Sequence, residues 1–274
     1  MQRSIHARPG LGAALQVVQE GGVPLRRVLV DFPSLILVCS GRKEIRFGST
    51  VSTGNPGELL AVAAGSEIEV TNALPRVGPY EAFCLSFDPQ LCGANENLAS
   101  KARIISASVA LGRPPTYLLS AFQRAAESCA GTADTPDSIV RHQLQEVLLG
   151  LELFGWRFDA RAATRNSVRL RRLLNADPAK RWKIGAVGKL LGMSEATLRR
   201  RLEEDGVTFR EILGQVRMGR ALILLQSSDL SVTQIGYEVG YQSSSQFTAS
   251  FRRYFGQRPG QLREHGANIE RIRQ

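Results

Sequence analysis

Apolar residues follow two different rhythms along this chain. Between about residue 15 and residue 90 they fall in short runs punctuated by Gly, Pro and Asn, as at Gly54-Asn55-Pro56-Gly57 and between Pro75 and Pro79. The stretch from Ser66 to Asn72 alternates polar and apolar, as a half-buried strand does. The pattern predicts strands over Leu25–Val30, Ser34–Cys39, Glu44–Phe47, Glu58–Ala63, Glu67–Asn72 and Tyr80–Phe87. Many short strands with turn signals favour a small barrel or sandwich.

After about residue 97 the helical period takes over. It is clearest over Ser138–Gly155, where Ile139, Val140, Leu144, Val147, Leu148, Leu151 and Phe154 make one apolar stripe. That stripe needs a partner. Its own strand-rich domain is one; a second copy of the chain is the other, with Leu144, Val147, Leu148 and Leu151 as the homodimer contacts. The polar run Asp159–Asn166 reads as a linker. The expected division is a first domain over 1–160 that carries the dimerisation stripe, a linker over 161–166, a second domain over 167–264 and a tail over 265–274.

The second domain repeats one pattern of helix, tight turn and helix. In the first copy Ile184, Val187, Leu190 and Leu191 form an apolar face, Gly192 breaks the helix, and Ser194 caps a second helix that runs to Asp205. In the second copy Ser231 and Gln234 make a capping box, Ile235 and Val239 carry the core face, and Gly240 makes the turn. Ser243 with Gln246 then opens a helix over Ser244 to about Tyr254. Between the copies a helix over Thr208–Ser227 begins at the Thr208/Glu211 capping box. At ~1.5 Å per residue it spans roughly 28 Å, comparable to the ~34 Å between successive major-groove faces of DNA.

Charge sharpens this picture. Of 35 Lys+Arg and 25 Asp+Glu, residues 1–164 hold 15 of each, so the whole +10 belongs to residues 165–274. Concentrated positive charge releases counterions from a phosphate backbone, which suits a polyanion binder; the alternative is a solvated basic surface. Other chemistries find little support. Cys39, Cys84, Cys92 and Cys129 show no metal spacing, and His6, His142 and His265 are scattered, so no metal, cofactor or catalytic triad is expected, and no enzyme. The opening MQRSIHARPGLGAAL has no leader-like apolar core, and no apolar run suits a membrane span; a cytoplasmic protein is expected.

The second domain resembles the AraC/XylS family of bacterial transcription regulators over about residues 167–264. Arg217-Met218, Ala221 and Leu224-Leu225 fit the family's linker-helix pattern. Ile235-Gly236, Gly240-Tyr241, Phe247, Phe251, Tyr254-Phe255-Gly256 and Pro259 fit its second helix-turn-helix signature. Gly236 replaces the usual Ala, and Leu262 an aromatic before Arg263. The resemblance implies an α+β fold: an N-terminal cupin-like β-barrel with helices, and a C-terminal all-α domain whose two helix-turn-helix motifs are joined by a linker helix. It also implies double-stranded promoter DNA and RNA polymerase as partners, mostly in activation, with a small molecule or protein acting on the barrel.

Residue roles follow from face and reach. Leu198 and Leu202 point to the core, leaving Ala196, Arg199 and Arg200 together on the opposite face, where the family's base contacts carry over. Arginine there can grip guanine O6 and N7, Ala196 can touch only a thymine methyl, and the alternative is plain phosphate neutralisation. In the second recognition helix Ser244, Ser245, Gln246, Thr248 and Ala249 face outward as candidate base contacts. Ser194, Arg201, Arg252 and Arg253 are the candidate phosphate contacts. Lys43 and Lys101, the lysines of the neutral half, are candidates to hold an anionic effector such as a fatty acid, or else surface residues. The competing function is a non-specific, architectural DNA-binding protein.

Overall fold

The structure, a computed structural model, describes residues 5–19, 25–93, 101–131, 135–159, 165–228 and 230–261. Linker positions 161–164, the tail, Leu262 and Arg263 lie outside the described residues. The chain divides into two compact units, Met1–Arg161 and Ala162–Gln274.

Strands build most of the first unit. A six-stranded sheet runs in the order β1 (Ile5–Arg8), β2 (Gly12–Gln19), β9 (Tyr80–Phe87), β4 (Ser34–Ser40), β7 (Leu59–Val62) and β11 (Ser108–Gly112). A four-stranded sheet runs β3 (Leu25–Val30), β8 (Ser66–Ala73), β5 (Arg42–Phe47) and β6 (Thr50–Gly54). The expected barrel is therefore two sheets in a cupin-like arrangement, with Val38, Ile45, Leu60, Val62, Ile68, Val70, Tyr80 and Ala82 buried together. The larger core lies where the first sheet meets two helices, α1 (Thr116–Ala130) and α2 (Asp137–Leu153).

Two expectations are corrected here. The chain does not turn wholly helical after residue 97: β10 (Arg103–Ile105) pairs in parallel with β12 (Trp156–Phe158), and β11 adds an edge to the large sheet. Nor are Leu144, Val147, Leu148 and Leu151 dimer contacts. Leu144, Val147 and Leu151 have no exposed surface, Leu148 has 8%, and all four belong to the core shared with α1 and the sheet. The stripe is satisfied within its own unit; Ile139, at its edge, is exposed instead.

The second unit is helical among the described residues: α3 (Asn166–Asn175), α4 (Ile184–Leu190), α5 (Glu195–Glu204), α6 (Phe209–Ser227), α7 (Val232–Glu238) and α8 (Ser244–Phe255). Leu170, Leu174, Val187, Leu198 and Leu202 close one core with Ile212 and Val216 of α6. Farther along α6, Ala221, Leu222 and Leu225 are buried, and that helix also packs on α7. Phe247, Phe251 and Phe255 fill the other core, their ring centroids 5.7 and 4.6 Å apart in succession. One helix thus contributes side chains along its length, which ties the two helix pairs together. Leu190 departs from its expected place in the apolar face and is 63% exposed.

Candidate nucleic-acid interface

Local sequence sets both helix-turn-helix units. Gly188 and Gly236 lie where the two helices of each pair touch: a Cβ at Gly188 would meet the Met193 carbonyl at 2.8 Å, and one at Gly236 would meet Phe247 at 3.1 Å. Gly236 is therefore in a tight position beside the second recognition helix. Each pair then turns through a glycine with positive φ, Gly192 at 72° and Gly240 at 86°. A serine starts each recognition helix. The Ser194 hydroxyl accepts from the Thr197 N–H at 3.1 Å, and that of Ser243 from the Gln246 N–H at 3.2 Å.

Capping is unequal. The α6 and α7 caps are complete boxes, Thr208 with Glu211 and Ser231 with Gln234. At α8 the expected box is half made among the described residues: Ser243 caps the backbone, while the Gln246 side chain lies exposed on a neighbouring groove.

On α5, Leu198 and Leu202 are buried and Ala196, Arg199 and Arg200 are exposed, as helical periodicity requires. Both arginines are already engaged on their own helix, Arg199 with Glu195 and Arg200 with Glu204, each at 2.7 Å. All four side chains are about half or more exposed, so these pairs contribute little and a stronger acceptor can displace them. Arg201 is half-buried, its guanidinium 3.7 Å from the Met193 sulfur. Ser194 spends its hydroxyl on the cap and on Thr197 Oγ1 at 2.9 Å.

On α8, Ser245, Gln246, Ala249, Arg252 and Arg253 are exposed, opposite the three buried phenylalanines. Ser244 and Thr248 are half-buried, and Ser244 meets the Thr233 hydroxyl at 3.4 Å. The two candidate faces thus differ in chemistry: long, charged groups on α5, short ones followed by two arginines on α8.

The two helix-turn-helix pairs are bracketed by a side chain that lies on neither recognition face. Arg217, inside α6, donates from Nε to the Pro178 carbonyl at 3.0 Å and from Nη2 to the Lys180 carbonyl at 3.3 Å, and its guanidinium lies 5.9 Å from the Tyr241 ring centroid. Gly240 approaches the same loop so closely that a Cβ there would meet the Ala179 carbonyl oxygen at 2.9 Å. The loop that leads into the first helix-turn-helix and the turn of the second are therefore joined directly within the C-terminal unit, beside the α6 connection. The signal in the sequence was the Arg217-Met218 pair, but its partners are backbone carbonyls.

The two lysines of the first unit part company. Lys101 is exposed. Lys43 takes the inward phase of β5 with Ile45 and is 7% exposed; its ammonium donates to Asn72 Oδ1 at 2.9 Å and lies 5.5 Å from the Tyr80 ring centroid. Asn72 donates onward to Gln19 at 2.7 Å, and the buried Tyr80 hydroxyl has no hydrogen-bond partner among the described residues. Burial pulls the ammonium from its ordinary 10.5 to about 8, and the Cys84 thiol beside it offsets part of that fall. Among the described residues there is no group of three or more His, Cys, Asp or Glu that could hold a metal, and no helix long and apolar enough to cross a membrane.

Comparison with known proteins adds a match over part of the chain. Residues 187–265 match the family described as "Helix-turn-helix domain". The chain is 41% identical over 91 residues to the urease operon transcriptional activator of Escherichia coli, covering 33% of this chain and 31% of that protein. It is 34% identical over 96 residues to the DNA-binding dual transcriptional regulator Rns of Escherichia coli, covering 35% and 36%. The match thus spans about a third of the length of these curated relatives. Over nearly the whole chain the fold is that of ToxT from Vibrio cholerae: TM-score 0.62 at 12% identity, covering 92% of this chain and 97% of that one. The ToxT structure with bound unsaturated fatty acid gives 0.60 at 13%, covering 97% of each. The C-terminal unit is thus similar in sequence to a helix-turn-helix family and to segments of these transcription regulators, and over nearly the whole chain the likeness to ToxT is one of fold.

Proposed function

We propose that the protein is a sequence-specific, double-stranded DNA-binding transcriptional activator that contacts RNA polymerase beside its promoter in the bacterial cytoplasm. One observation carries this reading: two capped recognition helices with exposed, basic faces are bracketed together within one helical unit. A protein that merely coats DNA needs positive charge and no such bracket, which weighs against the architectural alternative. The activator names carried by the urease operon protein and its relatives support the sign of regulation.

In this reading α5 supplies most base discrimination through Ala196, Arg199 and Arg200, while α8 supplies mainly affinity through Arg252 and Arg253. Ser245, Gln246 and Ala249 make short-range contacts, with Ser244 and Thr248 at the edge; Ser194 and Arg201 meet phosphate. Arg200→Ala is expected to cost about tenfold in discrimination at one or two base pairs, read by competition between matched and substituted duplexes. Arg252→Ala is expected to weaken all duplexes alike and flatten the log–log salt dependence by about one unit. Equal effects of both changes on matched and scrambled duplexes would overturn this division. The whole reading is tested by selecting bound duplexes from a random pool and assaying a reporter placed beside the selected site; no enrichment contradicts it.

For the first unit the proposed role is reception of an anionic small molecule, with Lys43 as the anchor and Lys101 left on the surface. Lys43 is a buried cation whose partners among the described residues, Asn72 and Tyr80, are neutral, and burying such a charge costs stability unless it serves something else. The fatty acid in the ToxT structure of like fold supports an organic carboxylate. Lys43→Met is expected to stabilise the ligand-free unit at pH 7 by about 1–3 kcal/mol. Because the folded unit holds this amine at about 8, the unfolded chain binds more protons between there and 10.5. Stability should therefore rise with pH across that window in the wild type and lose that rise in the variant. Thermal unfolding from pH 7 to 10.5 checks both; destabilisation by Lys43→Met would show a structural role instead.

A further inference from the structure

The loop that Arg217 brackets carries more charge than its structural task requires. Lys180, Arg181 and Lys183 fall within four residues around Trp182, and all three are exposed. The loop is also firmly built. Trp182 Nε1 donates to the Asp177 carbonyl at 2.8 Å, the Lys180 ammonium lies 4.5 Å from the indole centroid, and Arg217 holds the carbonyls of Pro178 and Lys180. Asp177, the acid of this loop, turns a carboxylate oxygen to the Lys180 N–H at 3.1 Å.

Beside the loop lies a groove of about 680 Å³, lined among others by Arg181, Trp182, Leu213, Arg217, Tyr241 and Gln246. Gln246 belongs to the first turn of α8, so the groove opens next to the end of the helix that enters the major groove first. A duplex seated on α8 must carry one of its strands past that mouth. Cations carried on a loop whose backbone is already held meet phosphate without the loop having to be ordered on binding.

We propose that this loop and groove form a backbone clamp for the DNA strand between the two recognition helices, with Arg181 and Lys183 taking phosphate oxygens and Lys180 held back on Trp182. The clamp rests on the DNA-binding reading and adds to it a set of phosphate contacts outside both recognition helices. It carries no sequence information; it fixes the path of the duplex from one reader to the other.

The test uses the full chain and a duplex that it selects from a random pool. Arg181→Ala with Lys183→Ala is expected to lower the log–log salt slope by about two, each lost phosphate contact contributing ~0.9, and to leave the preference for the selected site over a scrambled one within about twofold. Arg181→Lys, which keeps the charge, should retain the slope. Neutral methylphosphonate at the phosphates between the two major-groove segments that α5 and α8 would occupy should weaken the wild type about tenfold and the double variant much less. An unchanged slope, or equal methylphosphonate losses in both proteins, overturns the clamp while leaving the DNA-binding reading in place. A wild-type protein that selects no duplex overturns both.

Discussion

Leu148→Asp is expected to unfold the N-terminal unit. The side chain is 8% exposed and sits among Leu144, Val147, Leu151 and the helical and strand residues of one core. An aspartate there loses the apolar contacts and buries a carboxylate with no cation provided for it. The two losses together come to about 4 kcal/mol, a large share of the stability of an ordinary domain. Hydrogen exchange should show protection lost across α1, α2 and the six-stranded sheet while the C-terminal helices keep theirs. A variant that stays folded but changes its sedimentation from dimer to monomer would put Leu148 on a subunit interface and refute the core assignment.

The second large effect is expected at Gly240. Two glycines of the same helical unit have similar backbones, Gly206 with φ 73° in open space and Gly240 with φ 86° against the Ala179 backbone. Alanine at Gly206 meets only the left-handed strain, about 1 kcal/mol. At Gly240 it meets that strain plus a Cβ 2.9 Å from a carbonyl oxygen and 2.8 Å from the Arg217 guanidinium. The backbone must shift, and the total should reach about 3 kcal/mol. Exchange in α7 and α8 measures the stability. The altered bracket should also reduce binding to a duplex carrying both half-sites by more than it reduces binding to one half-site. Equal losses from Gly206→Ala and Gly240→Ala would mean that the loop and the turn do not press on each other.

Much of this was legible in the sequence, for reasons that can be named. Turns, caps and short-range periodicity are local: β3 and β9 fall where the apolar pattern places them, and Ser194, Thr208 and Ser231 start helices where hydroxyl and amide chemistry requires. The outward arc of α5 follows from two leucines four residues apart. What stayed hidden depends on distant partners. β10 and β12 are three residues each and pair across a long stretch of chain, so neither has enough length to show a period. β2 is half-covered along nearly all its length and does not alternate cleanly.

Lys43 could have been found, since alternation puts it in phase with Ile45, yet its charge argued for the surface. The stripe of α2 announced burial without naming the partner. Arg217 is the converse: the motif was visible, but its physical role depends on carbonyls of a loop remote in sequence.

The central claim is that the two recognition helices occupy neighbouring major grooves on one face of the duplex. Hydroxyl-radical and base-specific footprinting on a selected site measures this directly. Two protected patches about 10–10.5 base pairs apart are expected, with binding abolished when five base pairs are inserted between them, because half a turn moves one patch to the far side. Protection of a single groove, or binding indifferent to the insertion, would contradict it.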